Sequence, residues 1–173
     1  MSKKIFITNG YARSGKDTFA ELLSKCLKNR KIYVEKISSI DGIKDLAYQC
    51  GWNGTKDEKS RQFLSDLKML ATNFNDYPFN YILDRIHCFM TNDSRKLEIL
   101  LIDIREPSEI KKLVDRIGCK TIFIENNRVK GQFNNFGDAN VENYDYDYVI
   151  KNNGTLDDFT KEIKSFIKKG GLE

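Results

Sequence analysis

Between residues 10 and 18 the chain reads Gly10-Tyr11-Ala12-Arg13-Ser14-Gly15-Lys16-Asp17-Thr18, directly after the apolar run Ile5-Phe6-Ile7. Glycines in such a stretch let the backbone curl, so that successive N–H groups point inward and form an anion-binding concavity. A helix beginning where the loop ends adds the positive end of its dipole to that concavity. Lys16 supplies a mobile ammonium. Asp17 supplies a carboxylate, a hard ligand for Mg²⁺ directly or through water, and its alternative role is a first-turn helix carboxylate favoured by the dipole. The spacing matches the G-x-x-x-x-G-K phosphate-binding pattern, with an aspartate in the position that pattern gives to Ser or Thr. Phosphoryl transfer is the chemistry such a set serves, because it needs phosphates held and charge neutralised more than it needs covalent help. Gly10, Arg13, Ser14, Gly15, Lys16, Asp17 and Thr18 are therefore the candidate phosphate and cofactor residues.

A second set lies far along the chain. Asp103-Ile104-Arg105 closes the apolar run Leu97–Ile102. A carboxylate there is placed to join a magnesium shell or to accept a proton, and Arg105 offers a forked donor set suited to an acceptor phosphate. The competing reading is a surface Asp–Arg pair of little energetic weight. Arg128 and Lys130 stand in a long polar segment, residues 127–140, where cations close over a transferring phosphate or are simply solvated. Lys44 and Arg61 are candidates for the acceptor phosphate. Trp52, Phe74, Tyr77, Phe79 and Tyr81 supply aromatic surface suited to stacking a base. His87 sits on a helical pattern and reads as packing.

These residues need elements to position them. Five apolar runs read as strands: Ile5–Thr8, Ile32–Ile37, Leu97–Ile102, Thr121–Ile124 and Tyr148–Ile150. Helical spacing recurs between them in Phe19, Leu22, Leu23, Cys26 and Leu27, in Ile43, Leu46, Ala47 and Cys50, and in Phe63, Leu67, Leu70 and Phe74. It returns in Ile82, Ile86 and Phe89, in Ile110, Leu113, Val114 and Ile117, and in Phe159, Ile163, Phe166 and Ile167. Thr155-Leu156-Asp157-Asp158 signals the start of the last helix, with a hydroxyl at the cap and a carboxylate three residues on. Alternation of this kind predicts an α/β fold: a five-stranded, mostly parallel sheet with helices on both faces, three layers in all. Ligands gather at the carboxyl ends of such strands, where the polar clusters fall. The segment 38–96 is all helical patterning, is too short for a second core, and reads as an insertion within one domain spanning 1–173.

With 173 residues, 40% hydrophobic and 31% charged, the chain is long enough for a real core and is not of disordered composition. The net charge of +4 is spread along the chain, as phosphate-bearing substrates require as much as nucleic acid would, and no specific nucleic acid is expected. Four scattered cysteines and one histidine make no zinc set and read as reduced thiols. No run has the length of a membrane helix, and no leader is evident, so the expected location is the cytoplasm.

Taken together, the motifs resemble one family. Arg13-Ser14-Gly15-Lys16-Asp17-Thr18 resembles the R-S-G-K-D-T loop of the bacteriophage and bacterial deoxynucleoside monophosphate kinases. Asp103-Ile104-Arg105-Glu106-Pro107-Ser108-Glu109 is similar to that family's D-V-R-F-P-N-E segment. Ile43-Lys44-Asp45, Gly51-Trp52-Asn53-Gly54, Lys56-Asp57-Glu58-Lys59 and Arg61 resemble its acceptor-side stretch, and Tyr146–Ile150 with Asn152–Leu156 its final strand and turn. Departures are Glu106 and Ser108, the segment Phe136-Gly137-Asp138-Ala139-Asn140 in place of H-x-S-E, and Lys68–Thr72 in place of G-T-(E/D). The resemblance implies a P-loop NTPase fold of the nucleoside monophosphate kinase type, ATP and Mg²⁺ as donor, and a (deoxy)nucleoside monophosphate as acceptor. It implies Lys16, Asp103 and Arg105 in transfer, Asp17 and Asp103 toward the metal, and Lys44, Trp52, Arg61 and Arg105 toward the acceptor; Arg128 joins the transfer set from its place in the polar segment 127–140. Asn153, Gly154 and Thr155 are implied to lie near the donor adenine. A homodimer is compatible with it. Two other readings stay open: a small-metabolite kinase, since animal-type phosphomevalonate kinases also carry an S-G-K-D loop, and a nucleotide-binding regulatory protein without transfer.

Overall fold

The apolar run before the loop becomes β1 (Lys3–Asn9), the central strand of a five-stranded sheet in the computed structural model, which describes residues 3–92, 97–131 and 140–172. The others are β2 (Tyr33–Ser38), β3 (Glu98–Asp103), β4 (Lys120–Glu125) and β5 (Tyr148–Lys151), in the order β2-β3-β1-β4-β5. β1 runs parallel to β3 on one side and to β4 on the other, and β5 runs parallel to β4. The register sets Thr8 beside both Asp103 and Ile122, so the polar strand ends come out on one edge. The chain passes from β3 to β4 across β1. The carboxyl end of β1 is therefore where the strand order reverses, the position at which parallel sheets open a ligand crevice.

The chain divides into two compact units, Met1–Lys36 with Ser94–Glu173, and Ile37–Asp93. In the first, α1 (Lys16–Leu27) and α6 (Leu156–Lys169) pack on one face of the sheet: Phe19, Leu23, Leu27, Phe159, Ile163 and Phe166 meet Phe6, Ile99, Leu101, Ile122 and Ile124. Leu100 and Ile102, which alternate with those strand residues and so point the other way, are buried as well, as are Ile110 and Leu113 of α5 (Pro107–Ile117). A strand covered on both faces reads as a continuous apolar run, which is the pattern of β3. Each fully buried Leu, Ile or Phe contributes roughly 1.5–3 kcal/mol. α6 begins with a complete capping box: the Thr155 hydroxyl accepts from the Asp158 N–H, and the Asp158 carboxylate accepts from the Thr155 N–H. Its far end is held by Lys4, whose ammonium donates to the carbonyls of Gly170 and Gly171, both at 2.7 Å.

The second unit contains α2 (Asp41–Gln49), α3 (Glu58–Asn75) and α4 (Tyr77–Thr91), with Ile43, Ala47, Ile82, Ile86 and Phe89 buried. Its bounds, Ile37–Asp93, lie close to those of the helical insertion expected at 38–96. Gly42 lies against the rings of Tyr81 and Tyr77; a Cβ there would stand 2.7 Å from the Tyr81 ring. Asp57 caps α3 through the Ser60 N–H, and that bond, ahead of side-chain bonds from Thr55 and Ser60, holds its carboxyl below the usual range. The expected helical stripe Phe63, Leu67, Leu70 and Phe74 lies on α3 and is mostly open: Leu67 is half-buried, and Phe63, Leu70 and Phe74 are exposed, Phe74 at 87%. One expectation fails here. His87 does not pack inward but is exposed on α4, next to buried Ile86.

Of the polar loop 127–140, residues 132–139 lie outside the described residues, as do residues 93–96 at the end of the helical insertion. Among the described residues no helix is long and apolar enough to cross a membrane, and Cys26, Cys50, Cys88 and Cys119 are free thiols.

Candidate active site

The loop after β1 is shaped by three left-handed positions, Gly10 at φ 150°, Arg13 at φ 62° and Gly15 at φ 106°. Gly10 is needed for space as well as for angle, since a Cβ there would lie 2.6 Å from the Ser14 hydroxyl oxygen and 2.7 Å from the Ile124 carbonyl oxygen. Gly15 is the N-cap of α1, and no side chain caps that helix among the described residues, so the first-turn N–H groups are of the kind a phosphate takes up. Three asparagines brace the loop from neighbouring strand ends. Asn9 accepts from the Gly10 N–H at 2.8 Å, and Asn152 and Asn126 donate to the Ser14 carbonyl at 2.9 and 3.4 Å. Lys16 folds back along the loop, its ammonium donating to the carbonyls of Gly10 at 2.7 Å and Tyr11 at 2.9 Å.

Asp17 and Asp103 are brought together, though α1 supplies one and β3 the other. Both form ion pairs with Lys36 of β2, at 2.8 Å in the case of Asp103, whose second oxygen accepts from the Thr8 hydroxyl. Burial, the largest single influence, pushes the Lys36 ammonium down, but the carboxylates of Asp103 and then Asp17 outweigh it and leave its pKa raised. Asp103 is 14% exposed along its side chain and Asp17 is 88% exposed. The pair therefore offers one anchored and one accessible carboxylate oxygen set around a single positive charge. That donor chemistry fits Mg²⁺, which takes one or two protein carboxylates and completes its shell with water and substrate phosphates. Consistent with so sparse a protein contribution, no group of three or more metal-ligating His, Cys, Asp or Glu residues occurs among the described residues.

Arg105 follows on the same edge. The Asn9 side-chain amide donates to its carbonyl at 3.0 Å and to the Tyr146 hydroxyl at 2.7 Å, which in turn donates to the Val141 carbonyl at 2.6 Å. Burial pushes the Tyr146 phenol well above its usual range, so it remains a donor. Arg128 lies on the other side of the loop. Its guanidinium donates to the Asn126 side-chain oxygen at 3.2 Å and to the Asn152 carbonyl at 3.1 Å. It thus braces the two asparagines that hold Ser14. The neighbouring turn is tied down by the Asn127 N–H donating to the Asn153 side chain at 2.7 Å, and Asn153 donates to Glu125 at 3.0 Å. Gly154 abuts Asp158 of the capping box, and Thr155 is its N-cap.

The acceptor candidates Lys44, Trp52 and Arg61 belong to the second unit. The Lys44 ammonium pairs with Asp41 at 3.0 Å, and Arg61 is exposed in the first turn of α3. The Trp52 indole N–H donates to the Thr55 carbonyl at 3.2 Å, and its ring lies 4.8 Å from that of Tyr48. Sequence reasoning missed Lys36, Thr8 and Asn9, and placed Asn126 and Asn152 in the polar clusters at the strand ends without giving them a role. The one local signal was their position: each stands at or near the carboxyl end of a strand.

No protein-family model matches this sequence, and neither does any curated protein sequence. Solved structures do. A shikimate kinase from Aquifex aeolicus superposes with a TM-score of 0.50 at 14% identity, over 97% of this chain and 98% of its own. A gluconokinase from Sinorhizobium meliloti gives 0.51 at 12% identity, over 98% and 94%. The Thermus thermophilus protein TT1252 gives 0.52 at 15% identity, over 98% of each chain. At these identities the likeness is one of fold. The chain has the P-loop NTPase fold, and the likeness does not single out the deoxynucleoside monophosphate kinases.

Proposed function

We propose that the protein transfers the γ-phosphoryl group of ATP to a (deoxy)nucleoside monophosphate, giving the diphosphate and ADP. The observation that carries this reading is the convergence of Asp17 and Asp103 on one cation beside a G-x-x-x-x-G-K loop, at the reversal point of the sheet. The loop N–H groups and Lys16 hold the donor phosphates, with Arg13, Ser14 and Thr18 on the same loop. Asp17 and Asp103 hold Mg²⁺, which when bound neutralises charge on the donor phosphates. Arg105 orients the acceptor phosphate, and Lys44, Trp52 and Arg61 in the unit 37–93 are assigned to the acceptor. Arg128, with Asn153, Gly154 and Thr155, is assigned to the donor side, and residues 127–140 to a lid. The resemblance of the loop and of Asp103–Glu109 to the deoxynucleoside monophosphate kinases supports the choice of acceptor. Unpaired thiols fit a reducing cytoplasm.

A coupled assay of ADP formation across a panel of ribo- and deoxynucleoside monophosphates tests the reading. At least one monophosphate is expected to stimulate ATP consumption, and Lys16→Ala is expected to lower that turnover by at least about a hundredfold. ATP consumption that no nucleotide stimulates sinks the nucleotide acceptor. The similar shikimate kinase and gluconokinase folds favour, as second reading, a small-metabolite acceptor; stimulation by phosphomevalonate or a comparable metabolite, but by no nucleotide, selects it.

A further inference from the structure

Lys36 has no place in the transfer scheme above, yet it is the residue on which the two metal-assigned carboxylates meet. Asp17 projects from the first turn of α1 and Asp103 ends β3. They come from different elements, and two carboxylates side by side repel unless a cation stands between them. Lys36 of β2 is that cation. It pairs with both, while Thr8 fixes the other Asp103 oxygen. An ammonium on the same oxygens and a divalent cation are mutually exclusive, because the like charges would stand within a few ångströms in a partly buried site. Lysine suits the role, since its charge sits at the end of a flexible four-carbon stem that can swing away.

We propose that Lys36 is an internal counter-ion that competes with the divalent cation for Asp17 and Asp103, holding the pair in place without metal and being displaced when metal loads. This rests on the assignment of Asp17 and Asp103 to the metal in the proposed function. Its consequence is that the intrinsic affinity of the carboxylate pair for a free divalent cation is set low. The cation then arrives mainly with the donor phosphates, whose added ligands outcompete one ammonium.

The test is Mn²⁺ binding to chelator-treated protein without nucleotide, read from the electron paramagnetic resonance of free Mn²⁺. Lys36→Met is expected to bind Mn²⁺ about tenfold or more tightly than the wild type, the scale of losing one charge-assisted competitor. Equal or weaker binding by Lys36→Met, or no binding to either protein, overturns the proposal. A second measurement uses the unaltered chain, so it does not depend on the variant folding. Amine-reactive labelling, quantified by mass spectrometry at Lys36 against exposed Lys31, is expected to rise severalfold at Lys36 when Mn²⁺ is added. Labelling that is unchanged or reduced overturns it. Neither readout contains nucleotide, so failure here is distinct from failure of the monophosphate assay.

Discussion

Ser14 is enclosed within the loop after β1, and its hydroxyl is buried without a hydrogen-bond partner among the described residues, while its carbonyl takes two asparagine amides. A buried hydroxyl that makes no bond costs its desolvation and returns nothing. Ser14→Ala is therefore expected to leave the ligand-free protein as stable as before, or more stable by up to about 1 kcal/mol, in urea unfolding. A loss of more than about 1 kcal/mol would mean that the hydroxyl is satisfied after all. Gly10→Ala should behave in the opposite way. Its Cβ would press on the Ile124 carbonyl, which is backbone and cannot turn aside as a side chain does. It is expected to cost about 1–3 kcal/mol in the same measurement. Both residues were legible as a phosphate loop because the pattern is local: glycine, lysine and the following helix lie within one short stretch. Lys36 and the three bracing asparagines were not. Their roles exist only once β2 lies beside β3, β4 beside β1 and β5 beside β4, an order that sequence spacing does not carry.

Among the elements, α6 is the one whose start the sequence reads most fully. Thr155 and Asp158 form the reciprocal cap that their spacing predicts. Thr155→Ala is expected to cost about 1 kcal/mol, the usual worth of an N-cap. The bond from Lys161, followed by those from Thr155, holds the Asp158 carboxyl down to about 2. A carboxyl held below its unfolded value of about 3.9 stabilises the fold fully above that pH and loses its contribution as pH falls through about 2. The stability difference between wild type and Asp158→Ala should therefore be constant near neutrality and vanish between about pH 4 and pH 2, followed by circular dichroism in urea. All five strands stand within two residues of where the apolar runs put them, most plainly β3, which is buried on both faces and so reads as a continuous apolar run. α3 shows the limit of this reading. Its periodicity specifies a helix, but which face is covered depends on what the rest of the chain brings to it, and its apolar stripe is exposed.

For the whole molecule, these burials translate into an uneven map of tolerance. Phe74 is 87% exposed and Ile163 is fully buried, although both sit at helical spacing in equally convincing apolar patterns. Phe74→Ser is expected to shift the stability of the monomer by no more than about 0.5 kcal/mol, and Ile163→Ala to cost about 2–5 kcal/mol, compared by urea midpoint. A large loss at Phe74 would mean that α3 is covered in solution. The sheet order has a further consequence, for the chain as it is made. β1 is the central strand of the sheet and comes before both of its neighbours in the chain, which begin only at Glu98 and Lys120, and Lys4 finds its carbonyl partners only at Gly170 and Gly171. Until those strands follow, the loop after β1 hangs from a strand without the neighbours it pairs with in the fold, and long-range pairings of this kind form slowly. The loop is thus written before the strands that fix it.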